Sequence, residues 1–169
     1  MIQVYVASDH AGIELKSKVV TEFQSKELIS KFEVHDLGPH SNDSVDYPDY
    51  ADLVSKKLHG FSLINLNQND QKNSITPTVS FPHEIGILIC GSGQGMAMRA
   101  NKYPQIRAAL CWTDTIAKLA REHNDANVLC LGARTTDHEA CIRILHQFIS
   151  TPFAGGRHQQ RVVKVSTPV

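Results

Sequence analysis

The sequence has no C-x-x-C pair, no apolar run approaching membrane-spanning length and no surplus of charge of either sign. Each of these gaps excludes something. Lys+Arg and Asp+Glu both number 17 in 169 residues, a formal net charge of zero. A general binder of nucleic acid or of anionic membranes needs a positive field, so neither kind of partner is expected. A spanning helix needs about 20 consecutive apolar residues, so no membrane association is expected. The start, Met1-Ile2-Gln3-Val4-Tyr5-Val6, lacks the basic opening and long apolar core of a signal peptide. The four cysteines are Cys90, Cys111, Cys130 and Cys141, and three lie at or near the ends of expected strands. That pattern suits reduced, buried thiols in a cytoplasmic protein better than a disulfide frame or a zinc site. What is present is ordinary for one globular domain with a real core, 41% hydrophobic and 20% charged.

Strand and helix patterns alternate along the chain. Ile2–Ala7, Glu33–Leu37, Ile85–Cys90, Arg107–Cys111 and Ala126–Leu131 read as strands. Helices are expected at Ile13–Phe23, from Tyr47 to about His59, at Met96–Lys102, at Asp114–Glu122 after a Thr113 cap, and up to Ser150 after Thr136 or Asp137. The alternation implies a three-layer α/β fold: a doubly wound, Rossmann-like, five-stranded parallel sheet with right-handed crossovers. Ligands of such sheets bind beyond the strand C-terminal ends. Gly60–His83 is rich in Asn, Gln and Asp, with Pro77 and Pro82, and shows neither period. It is expected to be a surface insertion in a single domain.

The most informative stretch is Ile85–Lys102. A strand apolar on both faces ends at Cys90, and Gly91-Ser92-Gly93-Gln94-Gly95 places a glycine at every second position. Three familiar motifs fail at one residue, Met96. The dinucleotide fingerprint needs glycine there, as does the phosphate loop, and a cysteine phosphatase needs arginine. What survives is a cradle of backbone N–H groups for an anion or oxyanion, with the Ser92 hydroxyl available. Cys90 at the strand end, against this loop, sits where the thiolate is favoured and can serve as a base. Asp9-His10 fits a helix cap with a first-turn histidine as well as a site. His123 fits a helix end, and Tyr47 fits packing. Arg157 and Arg161 are four apart, so on a helical tail they share a face that either meets solvent or grips a phosphate.

Taken together, Ser8-Asp9-His10-Ala11-Gly12, Asp46-Tyr47-Pro48, Leu88–Gly95, Ala100-Asn101-Lys102, Arg121-Glu122-His123-Asn124-Asp125 and Gly155–Arg161 resemble the type B ribose-5-phosphate isomerases. Galactose-6-phosphate and allose-6-phosphate isomerases belong to the same wider family. The resemblance covers nearly the whole chain apart from Gly60–His83. It implies an aldose–ketose isomerase of the pentose phosphate pathway, working through an enediolate without a cofactor or metal. It implies Cys90 as the base; relatives lacking this cysteine place a glutamate where Met96 stands. It further implies Gly91, Ser92, Gly93, Gln94 and Gly95 at the enediolate oxygen, and His123 as the acid that opens the furanose ring. Asp9, Tyr47 and Asn124 would lie at the sugar, and His10, Arg134, Arg157 and Arg161 at the phosphate. The implied assembly is a homodimer with a shared site. A phosphorylated hexose as substrate, or a silent sugar-phosphate sensor, are the alternative readings.

Overall fold

The structure, a computed structural model, describes residues 1–59 and 82–167. The expected insertion lies outside the described residues except for Pro82 and His83. Strands β1 (Ile2–Ser8), β2 (Phe32–Asp36), β3 (Glu84–Cys90), β4 (Ala108–Leu110) and β5 (Val128–Gly132) alternate with helices. These are α1 (Ile13–Phe23), α2 (Tyr47–Lys57), α3 (Gln94–Ala100), α4 (Asp114–Asn124) and α5 (His138–Ser150), followed by α6 (Gln159–Ser166). All strands pair in parallel, in the order β2-β1-β3-β5-β4.

β5 is buried throughout and β3 is buried from Ile85 onwards, which is why both read as continuous apolar runs rather than alternations. Side chains of Val4, Ile87, Ile89 and Leu131 pack under Leu15 and Val19 of α1, Ala117 of α4, and Ile144 and Phe148 of α5. On the other face Leu88, Cys90 and Cys130 pack under Ala51 and Val54 of α2 and Met96 and Ala100 of α3. Direction and face change together. The chain steps one way from β1 to β2 and from β4 to β5, with α1 and α4 on one face. It steps the other way from β2 to β3 and from β3 to β4, with α2 and α3 on the opposite face. That coupling is what right-handed crossovers require.

Several boundaries differ from the sequence expectation for local reasons. Helix α3 starts two residues early, because Gly93 at φ +76° already turns the chain into it. β4 is cut short at its start, where the Asn101 side chain brackets Ala108, accepting from its N–H at 2.8 Å and donating to its carbonyl at 2.9 Å. Thr113 caps α4 by accepting from the Ile116 N–H, and Asp137 rather than Thr136 caps α5 through Glu139 and Ala140. The tail is helical, with a short 3-10 turn at Gly156–His158 leading into α6.

All four cysteines are buried and unpaired. Burial pushes the Cys111 thiol up to about 12 and the Cys141 thiol up to about 11, and moves Cys130 well above the usual range. These three are protonated core fillers at neutral pH. No helix among the described residues is long and apolar enough to cross a membrane.

Gly86 lets α2 settle onto β3. A Cβ there would stand 2.7 Å from Val54 Cγ1, 3.0 Å from Val128 Cγ2 and 3.1 Å from Leu58 Cδ1. Gly86→Ala should therefore cost about 1–3 kcal/mol of stability in denaturant titrations. An unchanged midpoint and slope would contradict this packing.

Candidate active site

The strand order reverses between β1 and β3, and the crevice beyond their C-terminal ends is where a ligand site is expected. The chain segments leaving these strands are tied to one another. The Asp9 N–H donates to the Ile89 carbonyl at 3.0 Å, Ala133 N–H to the Cys90 carbonyl at 2.9 Å, and Arg134 N–H to the Gly91 carbonyl at 2.9 Å. Asp9, Cys90, Gly91 and Arg134 are thus set side by side by the parallel ladder itself.

Asp9 is buried and caps the following 3-10 turn, its Oδ1 accepting from Ala11 N–H at 2.9 Å and Gly12 N–H at 3.1 Å. Its Oδ2 takes no hydrogen bond among the described residues. His10 accepts the Val45 N–H on Nδ1 at 3.3 Å, so in the neutral ring Nε2 carries the proton and is a donor. Cys90 lies under the glycine loop, and the Gly93 N–H donates to its Sγ at 3.1 Å. A backbone donor is therefore aimed where thiolate charge would sit. Ser92 accepts from the Gln94 N–H at 3.4 Å and keeps its own hydroxyl proton to give. Ser92 and Gln94 are exposed, whereas Met96 is wholly buried.

Gly95 allows a close approach, and Gly91 marks an ordinary contact. A Cβ on Gly95 would meet Cζ of Tyr47 at 2.5 Å, so the Tyr47 ring lies directly over the start of α3. A Cβ on Gly91 would touch Arg134 Cδ at 3.5 Å and Ala11 Cβ at 3.9 Å, so the exposed Arg134 side chain reaches back across the loop. Asp9, His10, Tyr47, Gly91–Gly95, Cys90 and Arg134 therefore form one constellation.

The remaining sequence candidates stand elsewhere. Helix α4 carries the chain from the C-terminal end of β4 back to the start of β5, so its last residues, His123 and Asn124, lie at the opposite edge of the sheet. The helix alone spans about 16 Å at 1.5 Å per residue. Arg157 and Arg161 gather near His123, whose ring stacks on His158 with centroids 4.3 Å apart and planes 8° apart. The tail is fastened there by the Ala154 N–H donating to the Glu122 carbonyl at 3.0 Å. One chain thus holds two half-sets at opposite ends. His10 and Arg134 belong to one, and Arg157 and Arg161 to the other. The stack of His158 on His123 had no signal in the sequence beyond a place in the tail motif.

A family model described as Ribose/Galactose Isomerase matches residues 4–62 and 73–165. The chain belongs to the ribose/galactose isomerase family. Within it, solved structures of ribose 5-phosphate isomerase B are close neighbours. The Thermotoga maritima protein is 42% identical with a TM-score of 0.76, over 98% of this chain and 97% of that one. The Anaplasma phagocytophilum protein is 40% identical with a TM-score of 0.77, over 96% and 95%. The Mycoplasma genitalium structure, solved with bound ribulose-5-phosphate, is 37% identical with a TM-score of 0.78, over 98% and 94%. Residues 63–72 fall between the two stretches matched by the family model.

Burial, and after it the neighbouring His123, Arg157 and Arg161, hold His158 below the usual histidine range. The folded chain binds that proton less readily than the unfolded chain, so docking of the tail weakens as pH falls below about 6.5 and recovers above it. Amides of α6 should exchange faster at pH 5.5 than at pH 7.5 once intrinsic rates are divided out, and His158→Gln should abolish the difference. Equal protection at both pH values would contradict it.

Proposed function

We propose that this protein interconverts ribose 5-phosphate and ribulose 5-phosphate in the pentose phosphate pathway, as a cytoplasmic homodimer. The observation that carries the reading is Cys90 beneath its glycine loop, with the Gly93 N–H 3.1 Å from Sγ, in a chain of this family. An aldose–ketose isomerisation needs a base at a carbon-bound proton, donors for the oxyanion that develops, and a remote handle for binding energy. Cys90 is the base: as thiolate it takes the proton from C2 of the open-chain aldose and returns it to C1, while the O2 hydroxyl proton passes to O1. The enediolate between these steps rests its oxygen against the N–H groups of Gly91–Gly95 and the Ser92 hydroxyl.

The two half-sets explain the homodimer. In a two-fold pair each chain gives the same surface, so the Cys90 end of one chain meets the His123 end of the other, twice. His123 then donates to the ring oxygen as the furanose opens, with Asn124 beside it, while Asp9 holds a sugar hydroxyl on Oδ2 and Tyr47 covers the sugar. His10 and Arg134 from one chain and Arg157 and Arg161 from the other surround the phosphate. The stretch 63–72, unmatched by the family model, supports reading Gly60–His83 as an excursion from a single domain.

Cys90→Ala should lower kcat by a factor on the order of 10²–10⁴ while leaving circular dichroism unchanged. A variant that keeps the wild-type kcat would remove Cys90 from the mechanism.

A further inference from the structure

We propose that Asp125 and Arg107 are positioning residues for His123, locking the turn that bears His123 and Asn124 onto the tail that bears Arg157 and Arg161. The inference rests on reading His123 as the ring-opening acid.

Asp125 ends α4 at φ +47°, the one positive φ outside glycine among the described residues. Glycine or asparagine would close the helix there with less strain. The carboxylate accounts for the choice, because each of its oxygens takes a different buried guanidinium. Oδ1 accepts from Arg121 Nη1 at 2.9 Å and Oδ2 from Arg107 Nη2 at 3.0 Å. Both arginines are buried, and desolvation by burial pulls both below their usual range.

Each arginine also spans from the turn to the tail. Arg107 Nε donates to the Asn124 carbonyl at 3.1 Å and the Asp125 carbonyl at 2.9 Å, while its Nη1 reaches the Ser166 hydroxyl of α6 at 3.4 Å. Arg121 Nη1 donates to the Ala126 carbonyl at 2.5 Å, and its Nε to the Thr151 carbonyl at 3.2 Å, where the tail begins. A residue needed only to end a helix would not require two desolvated cations around it. The cluster fixes the distance between His123, two residues before Asp125, and the arginines beyond Gly155. The stacking of His123 on His158 is the contact so maintained.

The two substrates separate positioning from simple support. In ring opening, His123 gives a proton to the furanose oxygen as its bond to C1 breaks. The C1 hydroxyl gives its proton to solvent water and becomes the aldehyde. Ribulose 5-phosphate has no furanose form, because its C5 oxygen is esterified. Deuterium uptake at its C1 in D₂O therefore needs the enediolate step but not ring opening.

Asp125→Asn keeps the shape and removes the charge. Its kcat with ribose 5-phosphate should fall by about 10–100-fold. At saturating ribulose 5-phosphate its deuterium uptake should stay within about twofold of wild type, the looser hold of Arg157 and Arg161 on the phosphate appearing in KM. Arg107→Lys keeps the charge but loses the fork, and should show the same split if Asp125→Asn does not fold. An equal fall in both rates, or no fall in either, would overturn the proposal. His123→Ala serves as the reference. If it leaves ribose 5-phosphate turnover intact, the reading of His123 itself fails. If it lowers ribose 5-phosphate turnover while Asp125→Asn leaves kcat unchanged, the positioning role alone fails.

Discussion

A parallel strand can be followed by another only if the chain is carried back across the sheet, and that constraint governs everything else in this protein. Every helix between strands starts at the strand C-terminal ends and finishes at the opposite edge. Residues that open a crossover therefore gather at one edge, and residues that close one gather at the other. Cys90, Asp9, His10 and Arg134 open crossovers or leave strands. His123 and Asn124 close one, and the tail after α5 begins at that same edge. No rearrangement of side chains brings the groups together within one chain, since the length of a helix lies between them. In the proposed homodimer a second copy completes the site.

Each half is held by a different physical device. At the Cys90 end the backbone does the positioning. Ladder hydrogen bonds align the strand exits, a left-handed glycine bends the loop, and Gly95 lets Tyr47 close over it. The side chains needed there are few, and the donors are N–H groups with no freedom to move away. At the His123 end the backbone has finished its helix and offers no ladder, so charge takes over. Asp125 between Arg107 and Arg121 joins the helix end, the start of β4 and the tail in one buried cluster. Breaking one partner of such a cluster leaves a buried charge uncompensated.

Much of the first half was legible in the sequence, because its signals are local. Gly91, Gly93 and Gly95 alternate within one short loop, Cys90 directly precedes it, and Asp9-His10 follows a β-branched strand. The sheet was legible for the same reason: β3 and β5 are apolar on both faces, and the caps at Thr113 and Asp137 stand where hydroxyl and carboxylate side chains precede helical periods. The second half was less so. The Arg121–Asp125 pair is four residues apart and visible on a helix, but Arg107 joins it from 18 residues away, across β4. The His123–His158 stack spans a strand, a helix and a turn. Such contacts depend on how elements dock, and no short window of sequence carries them. Boundary differences at α3 and β4 have the same origin, since Gly93 and the Asn101 side chain act through the folded backbone.

Subunit complementation tests the central claim of a shared site most directly. Cys90→Ala and His123→Ala are each prepared as inactive homodimers, then unfolded, mixed in equal amounts and refolded together. Each mixed dimer has one site carrying both substitutions and one site carrying neither. Half the dimers are mixed, so the account predicts recovery of about one quarter of wild-type turnover. Refolded mixtures that remain as inactive as the separate variants would show that Cys90 and His123 do not meet across two chains, and would contradict it.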